Sequence, residues 1–254
     1  MVDREDSWVE SYYDTLSFFY WEPQHIGRKK YVDPRLKSEL EVQNHVRTME
    51  VTLNHQIKQF LCLAPDSFRN RLFRSALGRE VVGHFIMAGS GACRVCAAVQ
   101  PDFLFTTDDS TVSMEMKIGA RSSITQVLKY ALLALAVEQK HDGREMEHSL
   151  IFLGADDFSR LWREHFSEDD LRQGLESEKS TFMQGLSGKE KRFRDQEARF
   201  AQIVSSLSIG FINYHDFANL LREEFPPADG SAGEQVYRKL VEGMIAELRR
   251  RRLA

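Results

Sequence analysis

Between Val112 and Ile118 the polarity of the chain changes at every residue. Val112, Met114, Met116 and Ile118 alternate with Ser113, Glu115 and Lys117. A period of two belongs to an extended strand, whose successive side chains point to opposite faces. The segment is therefore a strand with its apolar set in the core and with Glu115 and Lys117 together on the other face. Gly119 ends it. Directly after comes a helix-start signal, Ser123 with Gln126 three residues on, the spacing of a capping box. Ile124, Val127, Leu128, Ala131, Leu132 and Leu135 then give the broad apolar face that a helix packed on a sheet requires. Ser149–Leu153 reads as a short buried strand. With hairpin strands before it, this crossover predicts an α/β fold, a central mixed β-sheet flanked by helices.

The rest of the chain is read around that unit. Residues 1–36 hold a dense aromatic cluster (Trp8, Tyr12, Tyr13, Phe18, Phe19, Tyr20, Trp21), read as an arm that packs on the same chain or, if exposed, meets a protein partner. Residues 37–254 form the α/β domain. Val42, Val46, Met49, Leu53, Ile57, Phe60 and Leu61 predict one helix over 38–63, and a shorter helix runs from Pro65-Asp66 to Gly78. Glu80–Ala88 and Cys93–Val99 read as strands joined by a turn at Gly89-Ser90-Gly91. Pro101-Asp102 opens a further strand, linked to the Val112 strand through a turn at Asp108-Asp109-Ser110. From about 156 to 207 the composition becomes charged and helical, the mark of an insertion or cap with a break at Gly185–Gly188. Its strip Lys189, Lys191, Arg192 and Arg194 is a solvated face or a phosphate contact. Ile209–Tyr214 returns as a strand, His215–Glu224 as a helix, and an amphipathic helix carries Val236, Leu240, Met244 and Leu248.

Composition narrows the classes. At 254 residues, 42% hydrophobic and 28% charged, the chain can bury a full core. No apolar run approaches the roughly 18 residues of a transmembrane span. The acidic, aromatic start is unlike a signal peptide, so an intracellular protein without membrane contact is expected. Three cysteines suit a reducing compartment. Cys93 and Cys96, with His84 and Cys62, are a conceivable zinc set, although buried cysteines as small apolar side chains explain them more simply. A net charge of −4 excludes a general nucleic-acid coat but leaves room for a local positive channel. Arg249–Arg252, the clearest basic run, reads as a frayed tail or a phosphate contact. There is no Gly-x-Ser-x-Gly elbow, phosphate-binding P-loop or dinucleotide fingerprint.

Two carboxylates and a lysine on neighbouring strands suit phosphodiester hydrolysis. A divalent cation offsets charge at phosphorus and lowers the pKa of bound water, and Mg²⁺ keeps several waters, so few carboxylates suffice. Asp102 and Glu115 would supply them, with the Met116 carbonyl as a third oxygen. Lys117 would orient or deprotonate the attacking water or offset transition-state charge.

Pro101-Asp102 with Glu115-x-Lys117 resembles the motif of the PD-(D/E)xK nuclease superfamily, the restriction-endonuclease-like fold. Gln126 and Tyr130 on the next helix are similar to the Gln-x-x-x-Tyr element of its exonuclease-like branches. The resemblance covers roughly Glu50 to Leu153, with weaker support from FINYHDFANLL around Tyr214. It implies a mixed four-stranded core sheet, a metal site (Mg²⁺ or Mn²⁺) on Asp102 and Glu115, a catalytic role for Lys117, and positioning by Gln126 and Tyr130. It also implies a further glutamate on the first core helix, for which Glu50 is the candidate and Glu80 the runner-up. Lys117, Gln126 and Arg121 are the expected nucleic-acid contacts. Plainer readings stand beside these: Gln126 as a cap residue, Tyr130 as a half-buried aromatic, and Glu115–Lys117 as an ion pair on an exposed sheet face. The function expected is a metal-dependent nuclease acting on DNA in preference to RNA. The rivals are a catalytically silent fold kept as a nucleic-acid- or protein-binding module, and a nuclease held inactive until a partner completes its site.

Overall fold

The computed structural model describes residues 7–21, 38–88, 99–154, 157–162, 167–227 and 229–254. Chain order runs through helices α1 (Trp8–Trp21), α2 (Glu39–Thr48), α3 (Glu50–Leu63) and α4 (Asp66–Leu77), then strands β1 (Ile86–Met87), β2 (Phe103–Thr106) and β3 (Ser110–Lys117). Helix α5 (Ile124–Lys140) and strand β4 (Glu147–Gly154) follow. A 3₁₀ turn (Phe158–Leu161), α6 (Glu168–Gly185), a 3₁₀ segment (Gly188–Gln196) and α7 (Glu197–Ser206) lead to β5 (Ser208–Asn213), α8 (Tyr214–Glu223) and α9 (Ala232–Arg250). The chain divides into two compact units, Pro65–Phe217 and the pair of segments Met1–Ala64 with Ala218–Ala254.

The first unit holds a mixed sheet of five strands among the described residues, in the order β1-β2-β3-β4-β5. β1, β2 and β3 run antiparallel, whereas β3, β4 and β5 run parallel. The β2–β3 hairpin is closed by the Thr107 N–H donating to the Ser110 carbonyl at 2.9 Å, and by the Thr107 hydroxyl, which accepts from the Ser110 and Asp109 N–H groups. Parallel pairing needs a crossover, and α5 provides it between β3 and β4. On one face Phe73 of α4 meets Phe85 and Phe105 edge to face. There α4 approaches β5 so closely that a Cβ on Gly210 would sit 2.4 Å from the Ala76 carbonyl oxygen. On the other face α5, α6 and α7 bury Leu104, Leu150 and Phe152 beneath Leu128, Leu132, Leu171, Phe200 and Ile203. The segment read as an insertion or cap thus forms part of the layer that covers the sheet, with most of its described charges outward and Arg199 turned in to Glu138. Both faces of β3 are therefore covered, and its six inner residues, Glu115 included, are buried.

One strand expectation changes, and another lies outside the described residues. Glu80–Ala88 forms a ladder only at Ile86–Met87, because β2, its neighbour among the described residues, ends at Thr106 where the hairpin turn begins. Val82, outside that ladder, is exposed. The strand expected at Cys93–Val99 falls almost wholly outside the described residues, and Val99 is not in a strand.

In the second unit the helix expected over 38–63 breaks at Met49, which caps both α2 and α3 in an extended conformation. An unbroken helix would use the Val46 carbonyl for the Glu50 N–H. Here that carbonyl instead accepts from the Met49 N–H and from the Thr52 hydroxyl, which also donates to Met49. The aromatic segment is a helix that packs on this chain: Tyr13 is fully buried, with Val9, Val42 and Val46 around it. Arg47 and Arg250 lie over the Tyr13 ring, each 4.7 Å from its centroid. Among the described residues no helix is long and apolar enough to cross a membrane.

Candidate functional site

The Met116 N–H ties Asp102 to the strand that bears Glu115. Phe103, the first residue of β2, pairs with Met114, and continuing that register by one residue would set Asp102 level with Glu115. Directly opposed residues share a face, with Cβ atoms about 4.5–5.5 Å apart. Just before the start of β2, the Asp102 carboxylate accepts the Met116 N–H at 2.8 Å, as a backbone acceptor on a longer β2 would. In a strand a residue's N–H and C=O face the same neighbour, so the Met116 carbonyl faces the Asp102 side as well. Lys117, two residues beyond Glu115, returns to the same face of β3.

Glu115 is the hub. Its Oε1 accepts from the Lys117 ammonium at 2.8 Å and from the Gln126 amide at 2.5 Å, and its Oε2 accepts from the Tyr130 hydroxyl. Glu115 is 9% exposed, and the ion pair with Lys117 lies beneath α5, not on an open sheet face. Gln126 and Tyr130 are one helical turn apart, so both point at the same strand residue. The capping expectation for Gln126 is half met. Ser123 accepts the Gln126 N–H, but the amide side chain leaves the cap for Glu115 and also accepts from the Ser122 hydroxyl at 3.3 Å. Cap and site thus use different parts of one residue.

The same stripe of α5 continues to a second polar cluster. From Tyr130 to Glu138 the helix rises about 12 Å, which matches the roughly 13 Å of strand between Glu115 and Thr111. Glu138, 3% exposed, accepts two hydrogen bonds from the Arg199 guanidinium, one from the Met146 N–H, and pairs with His148 Nε2 at 3.0 Å. His148 Nδ1 meets the Thr111 hydroxyl at 2.7 Å. Burial opposes the Glu138 charge, but hydrogen bonds led by those of Arg199 outweigh it and hold the carboxyl below its ordinary range. Burial likewise holds the His148 imidazole below its ordinary value, against the pull of Glu138. Sequence reading missed this cluster. Its signal was the lone charge ending the apolar run of α5, eight residues after Tyr130.

The remaining candidates are dispersed. Glu50 is the first residue of α3 and belongs to the other compact unit. Glu80 pairs with Arg74 on the surface. Arg121 is exposed and follows β3. The basic run Arg249–Arg252 is in part a structural anchor, since Arg250 and Arg251 both pair with the buried Glu247. Arg251 also donates to the Met49 carbonyl, the Tyr13 hydroxyl and the Thr52 hydroxyl. Of the conceivable zinc ligands, Cys93 and Cys96 lie outside the described residues, His84 pairs with Asp66 at 2.6 Å, and Cys62 is exposed.

Among the described residues no three His, Cys, Asp or Glu side chains gather as a metal cluster. What Asp102, Glu115 and the Met116 carbonyl offer is a short set of hard oxygens. That fits an ion which keeps most of its waters, such as Mg²⁺ or Mn²⁺, and does not fit zinc. Comparison with known proteins finds no matching family model, no similar curated protein and no similar solved structure.

Proposed function

We propose that the chain is a metal-dependent nuclease of the PD-(D/E)xK kind, with a restriction-endonuclease-like core, which hydrolyses phosphodiester bonds of nucleic acid and prefers DNA. The observation that carries this reading is the Met116 N–H tie of Asp102 to the strand that bears Glu115, with Lys117, Gln126 and Tyr130 all hydrogen-bonded to Glu115. Asp102, Glu115 and the Met116 carbonyl would hold the ion. A bound Mg²⁺ or Mn²⁺ would supply charge neutralisation at phosphorus and a lowered pKa for water. Tyr130 and Gln126 fix the direction of the Glu115 carboxylate, and the Met116 N–H fixes that of Asp102. Preorganisation of this kind removes reorganisation cost from the reaction. The Lys117 ammonium, pinned at 2.8 Å from Glu115, is placed to donate to a phosphate oxygen or to the attacking water.

A second reading, a nuclease-like fold kept as a binding module, draws on the same carboxylate, since both of its oxygens already accept hydrogen bonds from this chain. One assay separates the two. Plasmid, linear DNA and RNA are incubated with Mg²⁺ or Mn²⁺ and with wild type, Asp102→Ala or Lys117→Ala. Cleavage by wild type alone is expected. Cleavage undiminished in both variants removes the proposed site. Inactivity on every substrate, with no metal binding by calorimetry, favours the binding module.

A further inference from the structure

We propose that the cavity at the carboxyl ends of β3 and β4 receives one unpaired nucleotide of a nucleic-acid strand, with its phosphate between Arg121 and Arg160 and its base against Phe211. The inference rests on the nuclease reading and specifies its substrate as single-stranded or frayed nucleic acid, not intact duplex.

The cavity has a volume of about 370 Å³ and lies outside the carboxyl ends of the strands, where ligands of open α/β sheets collect. Its floor is Lys117, Gly154 and Phe211, from three adjacent strands. Lys117 is the residue bonded to Glu115, so a nucleotide seated here adjoins the carboxylate site. Gly154 is required by this floor, because a Cβ there would come within 2.8 Å of the Phe211 ring. The walls are the segment after β3 and the 3₁₀ turn after β4, and they are fastened to each other. Ser122 forms a parallel bridge with Trp162, and its N–H donates to the Leu161 carbonyl at 2.7 Å. Trp162 is wholly buried, edge to face with Phe152 at 5.4 Å and Phe158 at 5.5 Å. These contacts hold the two described walls together.

Among its described lining residues the charged groups are Arg121, Arg160 and Lys117, the last paired with Glu115, against Asp157. The Asp157 carboxylate is turned to the cap of its own 3₁₀ turn, where it accepts from the Ser159 hydroxyl at 2.6 Å and the Arg160 N–H at 3.0 Å. The Arg160 guanidinium approaches it at 3.9 Å and is 64% exposed. Two guanidiniums at a mouth above an aromatic floor are the complement of a phosphate followed by a base, and aromatic stacking serves unpaired bases. A volume of about 370 Å³ is on the scale of a single nucleotide.

The test is fluorescence anisotropy of the full chain with a labelled single-stranded oligonucleotide and with a blunt duplex, in EDTA, across a salt series. Single-strand affinity is expected to exceed duplex affinity by at least about tenfold, in line with stacking of an unpaired base. Arg121→Ala and Arg160→Ala should each weaken binding and flatten the log–log salt slope by about 0.7, the contribution of one phosphate contact on a single strand. Phe211→Leu should weaken binding with the slope unchanged, and circular dichroism verifies its fold. Equal affinity for duplex overturns the proposal. So do unaltered slopes in both arginine variants, slope loss confined to Lys189→Ala or Lys191→Ala, and a free mononucleotide competing as tightly as the oligonucleotide binds. Arginine-dependent single-strand binding without cleavage in Mg²⁺ sinks the nuclease reading and spares the cavity. Cleavage with unaltered binding in the variants sinks the cavity and spares the nuclease.

Discussion

A carboxylate that is 9% exposed survives in a sheet only if its lone pairs are used, and Glu115 meets that condition through three side chains. Tyr130→Phe removes one donor and keeps the ring. A hydrogen bond to a charged group contributes about 1.5–3 kcal/mol, so the urea midpoint should fall by the equivalent of that range. An unmoved midpoint would reduce Tyr130 to a packing residue. A second residue-scale case is Glu247, whose side chain is fully buried between Arg250 and Arg251. Arg251→Ala leaves that charge short of a partner and should cost about 3 kcal/mol. Arg252→Ala, at an exposed position in the same run, should stay within about 0.5 kcal/mol by thermal unfolding. The two arginines are indistinguishable as letters, and the packing of α1 and of the α2–α3 junction around Arg251 separates them.

Elements came out of the sequence where a periodic pattern was long and locally capped. β3 and α5 fall where alternation and the Ser123 cap put them, and the hairpin turn sits at Asp108–Ser110. The failures share a cause, competition for backbone partners. Val46–Glu50 continues a helical stripe, yet the Thr52 hydroxyl takes the carbonyl that the helix would use. Glu80–Ala88 has strand character, yet its neighbour stops at Thr106. Helix-on-sheet contact was equally invisible: nothing adjacent to Gly210 in sequence announces that Ala76 lies against it. Gly210→Ala should therefore cost about 1–3 kcal/mol, as overpacking does, read as a lowered melting temperature. A neutral result would mean that α4 shifts away from β5 freely.

For the molecule as a whole, pH tests the buried cluster beneath α5. His148 titrates lower in the folded state than its ordinary 6.5, so the folded chain prefers it neutral. Its contribution to stability is complete above that value and is lost as pH falls toward the lowered one. Glu138, also lowered, contributes fully above its ordinary 4.5 and loses that contribution as pH falls further. His55, lowered by burial and by Lys58, acts in the same sense as His148. Unfolding free energy should therefore decline in two stages on acidification from pH 7, beginning near 6.5 and again near 4.5, and His148→Gln should shrink the first stage. A wild-type profile flat between pH 7 and 5 would refute that coupling.

Polarity along the chain was enough to determine the α/β class, the strand bearing Glu115 and Lys117, the helix bearing Gln126 and Tyr130, and the spacing that pairs each couple on one face. These are properties of local periodicity, which a few residues express without reference to the rest. Tertiary structure alone decided that Asp102 accepts the Met116 N–H beside Glu115, that the second face of β3 is buried, that Arg251 anchors while Arg252 does not, and that Lys117 lines a cavity. Each of these depends on register, and on which distant element takes a given hydrogen bond or volume, and such choices are settled by competition across the whole fold.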